Sequence, residues 1–180
     1  MKSNLNENEK RVLKYLIEDG RMQSTDIAER IGISSQAVGK IRANLEKEGI
    51  VTGYTAKVDY SKLGIELFAL AFFRFKSGSW SEMEEKDLRK RIRGPHLMRV
   101  YRLSEGEYTH MVVYGFRNIR DLENYFHLLQ KQRSHVSHLE KVYTISGDSI
   151  MKDDPTDLLI KVIDEMGKDS LAEPEYIKSI

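Results

Sequence analysis

The stretch STDIAERIGISSQAVGKIRANLEKEG, residues 24–49, decides how this chain is read. Ile27, Ala28 and Ile31 recur at helical spacing, and Gly32 supplies the left-handed residue that ends a first helix. Ser34 is placed to cap a second helix by accepting a backbone N–H at its new N-terminus. Along that second helix Val38, Ile41 and Leu45 face inward, and Gly49 ends it. Ser35, Gln36, Gly39 and Lys40 remain outward on its first two turns, with Arg42, Asn44 and Lys47 further along. Small residues, an amide and cations on one exposed face suit a helix laid into the major groove of double-stranded DNA. Two short helices around a glycine turn also occur as plain core packing, so the surroundings must decide.

Working outward, an amphipathic helix precedes this unit. Asn6 and Glu9 have the spacing of a capping box, Val12, Leu13, Leu16 and Ile17 form its apolar face, and Gly20 closes it. On the other side, Val51, Tyr54, Ala56 and Val58 suit a strand, and residues 59–64 read as a turn-rich hinge. Three helices followed by a strand make a winged-helix-like DNA-binding unit.

The second half has a different rhythm. Residues 65–76, IELFALAFFRFK, are apolar on both faces, with Leu67, Ala69, Ala71 and Phe73 on one and Phe68, Leu70 and Phe72 on the other. Such a strand needs a central position or a partner subunit. A helix is expected over residues 82–93, acidic first and basic late, in accord with the helix dipole. Gly94-Pro95 breaks it, and strands at 96–103 and 108–116 form a hairpin with Gly106 available for positive φ. Asn118 caps a further helix bearing Ile119, Leu122, Tyr125, Phe126 and Leu129, and a polar connection over 131–138 leads into a last strand at 139–146. Strand, helix, strand, strand, helix, strand is the split βαβ, ferredoxin-like order, which places both helices on one face of a four-stranded antiparallel sheet. Covering the other face calls for dimerisation. Beyond Gly147, Asp154-Pro155 reads as the start of an amphipathic helix carrying Leu158, Leu159, Val162, Ile163 and Met166, expected to cap a neighbouring subunit.

The fold class is therefore α+β, an N-terminal winged helix-turn-helix domain plus a C-terminal ferredoxin-like (βαββαβ) domain with an extra C-terminal helix. The expected domains are 1–49 for DNA binding, 50–64 as linker strand and hinge, 65–147 for effector binding and oligomerisation, and 148–180 as a helical extension.

Composition narrows the function classes. The 180 residues contain no cysteine, which removes disulfides, thiolate metal sites and cysteine nucleophiles. No apolar run approaches the roughly 20 residues that span a bilayer, and the N-terminus has no signal-peptide core, so the expectation is a cytoplasmic protein without membrane contact. Net charge is +1, and residues 1–60 hold 10 Lys and Arg against 9 Asp and Glu. A monomer so balanced gains little from phosphate electrostatics, and pairing two units on one duplex answers that weakness.

The segment EGIVTGYTAKVDYSKLG, residues 48–64, resembles the connection between the two domains of the Lrp/AsnC (feast/famine) transcriptional regulators, with Gly49, Ile50, Gly53, Tyr54, Ala56, Asp59, Leu63 and Gly64 in matching places. LNENEKRVLKYLIEDGR, residues 5–21, is similar to that family's opening helix. The resemblance covers roughly residues 5–147. It implies a regulator that binds DNA as a homodimer or a larger even-numbered homo-oligomer, assembled through the ferredoxin-like domain, with a small-molecule effector bound between dimers. By position it carries DNA contact to Ser34, Ser35, Gln36, Gly39, Lys40, Arg42 and Lys47. It also implies an effector region at Gly106, Glu107, Tyr108 and Thr109, with His135 and Ser137 from the connection before the last strand. Family members commonly have Gly-x-x-Asp in that hairpin. Thr109 stands where the aspartate would hold an ammonium group, which argues against amino-acid sensing of the usual kind.

Two other function classes compete with a regulator. Siroheme decarboxylases resemble both halves, and His96 or His110 could serve such an enzyme, yet no phosphate loop, nucleophile elbow or adjacent acid/base pair appears. His135 and His138 lack a third ligand at useful spacing, so no metal and no cofactor are expected. A protein-assembly module with a vestigial helix-turn-helix is the other.

Overall fold

A computed structural model describes residues 5–76 and 93–167, which fall into two compact units, residues 5–57 with 153–167 and residues 58–76 with 93–152.

The first unit begins with α1 (Glu7–Glu18). The capping box forms as the spacing predicts: Glu9 N–H donates to Asn6 Oδ1 at 3.0 Å and Asn6 N–H donates to Glu9 Oε2 at 2.9 Å. Helix α2 (Ser24–Ile31) stops at Gly32, whose φ of 74° is the left-handed conformation that favours glycine. Helix α3 (Ser35–Lys47) starts on Ser34, whose Oγ accepts the Ala37 N–H at 3.1 Å. Val12, Leu13 and Leu16 of α1 meet Ile27, Ala28 and Ile31 of α2 and Val38 and Leu45 of α3 in one buried core.

The segment after α3 departs from expectation. Residues 51–59 form no strand. A ladder needs a neighbouring strand, and among the described residues no strand pairs with this segment, whose Val51 N–H donates back to the Leu45 carbonyl at 3.1 Å. Side chains hold it instead. The Tyr54 ring lies over Gly20, where an added Cβ would sit 3.1 Å from Tyr54 Cδ1, and the Tyr54 hydroxyl donates to Glu46 Oε1 at 2.9 Å. Gly20 is thus small because a ring packs on it, a reason its place at the helix end did not reveal.

The C-terminal helix α5 (Thr156–Glu165) also differs from the reading. Pro155 takes the cap position, while Asp154 Oδ1 accepts the Thr156 N–H at 2.8 Å and supplies the side-chain capping. Ile163 is buried and Met166 half-buried in the core of α1, α2 and α3. Lys14 pairs with Asp164, and Lys10 Nζ donates to the Met166 carbonyl at 2.9 Å. This helix completes the core of its own chain's first unit. Only part of its apolar stripe is used, and Leu158, Leu159 and Val162 stay exposed.

The second unit is a four-stranded sheet of β1 (Leu67–Phe75), β2 (Leu97–Arg102), β3 (His110–Phe116) and β4 (Ser137–Ser146), ordered β2-β3-β1-β4 with every pair antiparallel. The doubly apolar β1 is central, as its composition requires. Ala69, Ala71 and Phe73 face α4 (Ile119–Arg133) together with Val112, Tyr114 and Phe116 of β3. On the opposite face, Phe68 is covered by the Tyr60 ring, edge-on at 5.8 Å between centroids. Asn118 Oδ1 accepts the Asp121 N–H at 3.0 Å and caps α4, which seats Leu122 and Phe126 on the sheet. Strand β4 starts two residues before the expected point, since Arg74 and Phe75 at the far end of β1 pair with His138 and Ser137 past a bulge. The expected helix over 82–93 lies outside the described residues apart from Arg93.

Candidate nucleic-acid interface and effector region

The cap and the turn at Gly32 fix how α3 is presented. Val38 and Leu45 are buried beneath it, so the opposite stripe must face away, and Ser34, Ser35, Gln36, Lys40, Asn44 and Lys47 are exposed there. Ser34 Oγ accepts the Ala37 N–H, and its own hydroxyl hydrogen remains available to donate outward. Among the described residues, nothing beyond the neighbouring backbone of α3 lies within 4 Å of a Cβ built at Gly39. A glycine in a helix interior costs about 1 kcal/mol relative to alanine, and no internal contact here requires one. The open space above it lets the backbone of α3 come close to a partner.

Arg42 is corrected. Its Nη1 donates to the Met22 carbonyl at 3.1 Å and its guanidinium lies 5.6 Å from the Tyr54 ring centroid. It is half-buried, bridging the residues before α2 to the segment after α3, and it does not belong to the outward stripe.

The six residues expected around an effector are not brought together. Gly106, with φ of 103°, turns the hairpin between β2 and β3. Glu107 accepts from Arg74 Nη2 at 3.0 Å, and Tyr108 packs on Phe72 with centroids 5.2 Å apart. Thr109 Oγ1 donates to the Phe73 carbonyl at 3.0 Å and accepts the Phe75 N–H at 2.9 Å. Its hydroxyl ties the hairpin to the edge of β1, and β3 consequently begins at His110, two residues later than expected. His135 and Ser137 instead line a cavity of about 460 Å³ between the sheet and α4, shared with Phe73, Val112, Tyr114 and His110. None of Gly106–Thr109 is among the described residues lining it.

The sequence singled out His110 only as a histidine that a decarboxylase could recruit. It is 7% exposed, its Nδ1 lies 3.1 Å from Thr109 Oγ1, and its Nε2 is buried without a hydrogen-bond partner. Burial, with Arg102 nearby, lowers its pKa below the usual histidine value. Burial likewise raises the pKa of the Tyr114 and Tyr125 hydroxyls.

Residues 5–52 match the winged helix-turn-helix DNA-binding family. Over 146 residues the chain is 30% identical to an uncharacterized HTH-type transcriptional regulator of Pyrococcus furiosus, covering 81% of this chain and 93% of that protein. It is 32% identical over 118 residues to the HTH-type transcriptional regulator LrpA of Pyrococcus horikoshii, covering 66% of this chain and 80% of that one. The chain belongs to the Lrp/AsnC family of transcriptional regulators.

Solved structures carry the same fold. A transcriptional regulator of Neisseria meningitidis crystallised as an L-Met complex superposes with a TM-score of 0.69 at 18% identity, covering 84% of this chain and 95% of that one. An AsnC family regulator of Agrobacterium tumefaciens gives 0.68 at 16% identity, covering 83% and 94%. The curated relatives of this Lrp/AsnC chain are transcriptional regulators, not enzymes, which speaks against the decarboxylase reading. No helix among the described residues is long and apolar enough to cross a membrane.

Proposed function

We propose that this Lrp/AsnC chain is a sequence-specific transcriptional regulator that reads double-stranded DNA with the outward stripe of α3. The observation that carries this reading is the pairing of buried Val38 and Leu45 with exposed Ser35, Gln36 and Lys40 on one Ser34-capped helix. The Gln36 amide has the donor and acceptor needed for the N6/N7 edge of adenine, and Lys40 suits guanine or a phosphate. Ser34 and Lys47 contact the backbone at the two ends of the helix, and Gly39 lets the groove floor approach. Residues 1–49 serve DNA binding and 65–147 serve assembly, joined through 50–64. This work takes place in the cytoplasm, where the DNA lies.

Assembly follows from the sheet. On the face away from α4, Tyr101 and Tyr143 are exposed, and Leu70, Phe72, Met111 and Val113 are half-buried. Apolar side chains spread over one face of a sheet are the material of a homodimer interface. Two copies then present two α3 helices to one duplex and double the phosphate contacts of a nearly neutral unit. Larger even-numbered assemblies and a small effector at the hairpin residues Gly106, Glu107, Tyr108 and Thr109 complete the reading. The Glu107–Arg74 pair marks the charged part of that hairpin.

Fluorescence anisotropy of the full chain against duplex from its own upstream region tests the DNA-binding part. Wild type should bind with an affinity that falls with salt, and Lys40→Ala should weaken it and reduce the salt slope by about 1. Unchanged affinity and slope in Lys40→Ala would overturn the role given to that residue. No binding by wild type at any salt would favour the assembly-module reading.

A further inference from the structure

Tyr54 holds the linker to the helix-turn-helix at one point. Its ring packs over Gly20, where an added Cβ would stand 3.1 Å from Tyr54 Cδ1. The Arg42 guanidinium lies 5.6 Å from the ring centroid, and the Tyr54 hydroxyl donates to Glu46 Oε1 at 2.9 Å. Arg42 and Glu46 stand one turn apart on α3, so a single stretch of the helix engages both ring and hydroxyl. The ring is still 46% exposed and lies outside the buried core, so it acts as a surface tether rather than as core packing.

The place of that tether along the chain gives it a consequence. Among the described residues the backbone is hydrogen-bonded to α3 as far as Val51, whose N–H donates to the Leu45 carbonyl, and the second unit begins at Val58. Without Tyr54 the free chain would start at Val51, and with it the free chain starts at Tyr54. At 3.3–3.6 Å per extended residue, the free reach falls from roughly 24 Å to roughly 14 Å. That difference of about 10 Å in each copy corresponds to about three steps along a duplex. Lys57 also pairs with Asp154 at 2.7 Å, but both side chains are exposed and such a pair restrains the chain little.

We propose that Tyr54 is a positioning residue for half-site spacing: by clasping the linker to α3 and Gly20, it sets how much free chain separates each reading helix from the assembly unit. A shorter tether raises the effective concentration of the second reading helix at the spacing it fits and lowers it at others. The inference rests on the reading above, that two copies joined through the sheet read one duplex with α3.

The probe is the inverted repeat that the full wild-type chain selects from a randomised duplex pool, then resynthesised with its spacer lengthened or shortened and titrated by fluorescence anisotropy. Wild type should lose about tenfold or more in affinity when the spacer changes by about three base pairs, and Tyr54→Ala less than about threefold. On a duplex with a single half-site the two should agree within about twofold, because the outward stripe of α3 is unchanged. A variant that had only lost stability would weaken on every duplex alike. Gly20→Val gives a second route, since Gly20 is not among the positive-φ glycines and the larger side chain displaces the ring without removing any of its partners. It should flatten the spacing profile as Tyr54→Ala does and add nothing in the Tyr54→Ala background. Should Tyr54→Ala not fold, as judged by circular dichroism, Gly20→Val decides alone. Spacing profiles as sharp in these variants as in wild type would overturn the inference and leave the DNA reading standing. A wild-type chain that enriches no repeat would overturn the DNA reading and the inference with it.

Discussion

The guanidinium of Arg42 lies 5.6 Å from the centroid of the Tyr54 ring, tying α3 to the chain that leaves it. The same Arg42 donates to the Met22 carbonyl at 3.1 Å. Arg42 is therefore a residue of stability on a helix otherwise built for contact. Arg42→Ala should destabilise the first unit by about 1–3 kcal/mol, combining a charged hydrogen bond and a cation–π contact. Exposed Lys40→Ala should stay within about 0.5 kcal/mol of wild type. Denaturant titration of both variants checks this, and equal stability of the two would mean the Arg42 contacts contribute nothing.

Gly39 predicts an opposite pair of effects. A Cβ added there meets nothing within 4 Å, so Gly39→Ala should stabilise α3 by about 1 kcal/mol through helix propensity alone. If the glycine lets DNA approach, the same variant should bind duplex more weakly. Thermal melts read beside anisotropy separate the two, and a variant both more stable and undiminished in binding removes Gly39 from the interface.

Ile163 carries the attachment of α5. It is 3% exposed in a core otherwise built by α1, α2 and α3. Ile163→Ala should cost about 2–5 kcal/mol as a buried large-to-small change. The loss should appear as faster amide exchange in α1 as well as α5, because both share that core. Acceleration confined to α5 would show that the helix merely rests on the unit.

His110 gives the sheet unit a pH dependence with a definite sign. Its folded pKa is lowered by burial and by Arg102, so the unfolded chain binds the proton more readily. Stability should be full above the ordinary histidine pKa of 6.5 and decline as pH falls below it, until the lowered folded value is passed. His110→Phe should flatten that decline. Denaturation midpoints at several pH values between 7.5 and about 5 supply the measurement, and an unchanged slope in the variant would assign the dependence elsewhere.

What could be read in advance was what neighbours along the chain decide. The Asn6–Glu9 box, the Ser34 and Asn118 caps and the Gly32 stop all depend on residues a turn apart, and all form as spacing predicts. The two-faced pattern of residues 67–73 was also sufficient to make β1 central. What could not be read depends on meetings between distant residues. Val51, Tyr54, Ala56 and Val58 have strand composition, but a strand exists only where a partner offers a ladder. Arg42 lies by phase beside buried Val38 and Leu45, but the groups that engage it there, the Tyr54 ring and the Met22 carbonyl, come from outside the helix. Ile163 and Ile27 are 136 positions apart, and nothing local marks them as one core. The place of Thr109 was hidden for the same reason, since its hydroxyl is claimed by the backbone of β1.

Selection of duplexes from a randomised pool by the full-length chain tests the central claim most directly. The account predicts enrichment of an inverted repeat whose half-sites lie about 10–10.5 base pairs apart, or a multiple of that, with Gln36→Ala relaxing the choice at one position in each half-site. A pool that emerges unenriched, or one whose preferred sequence is the same for wild type and for variants of Ser35, Gln36 and Lys40, would contradict it.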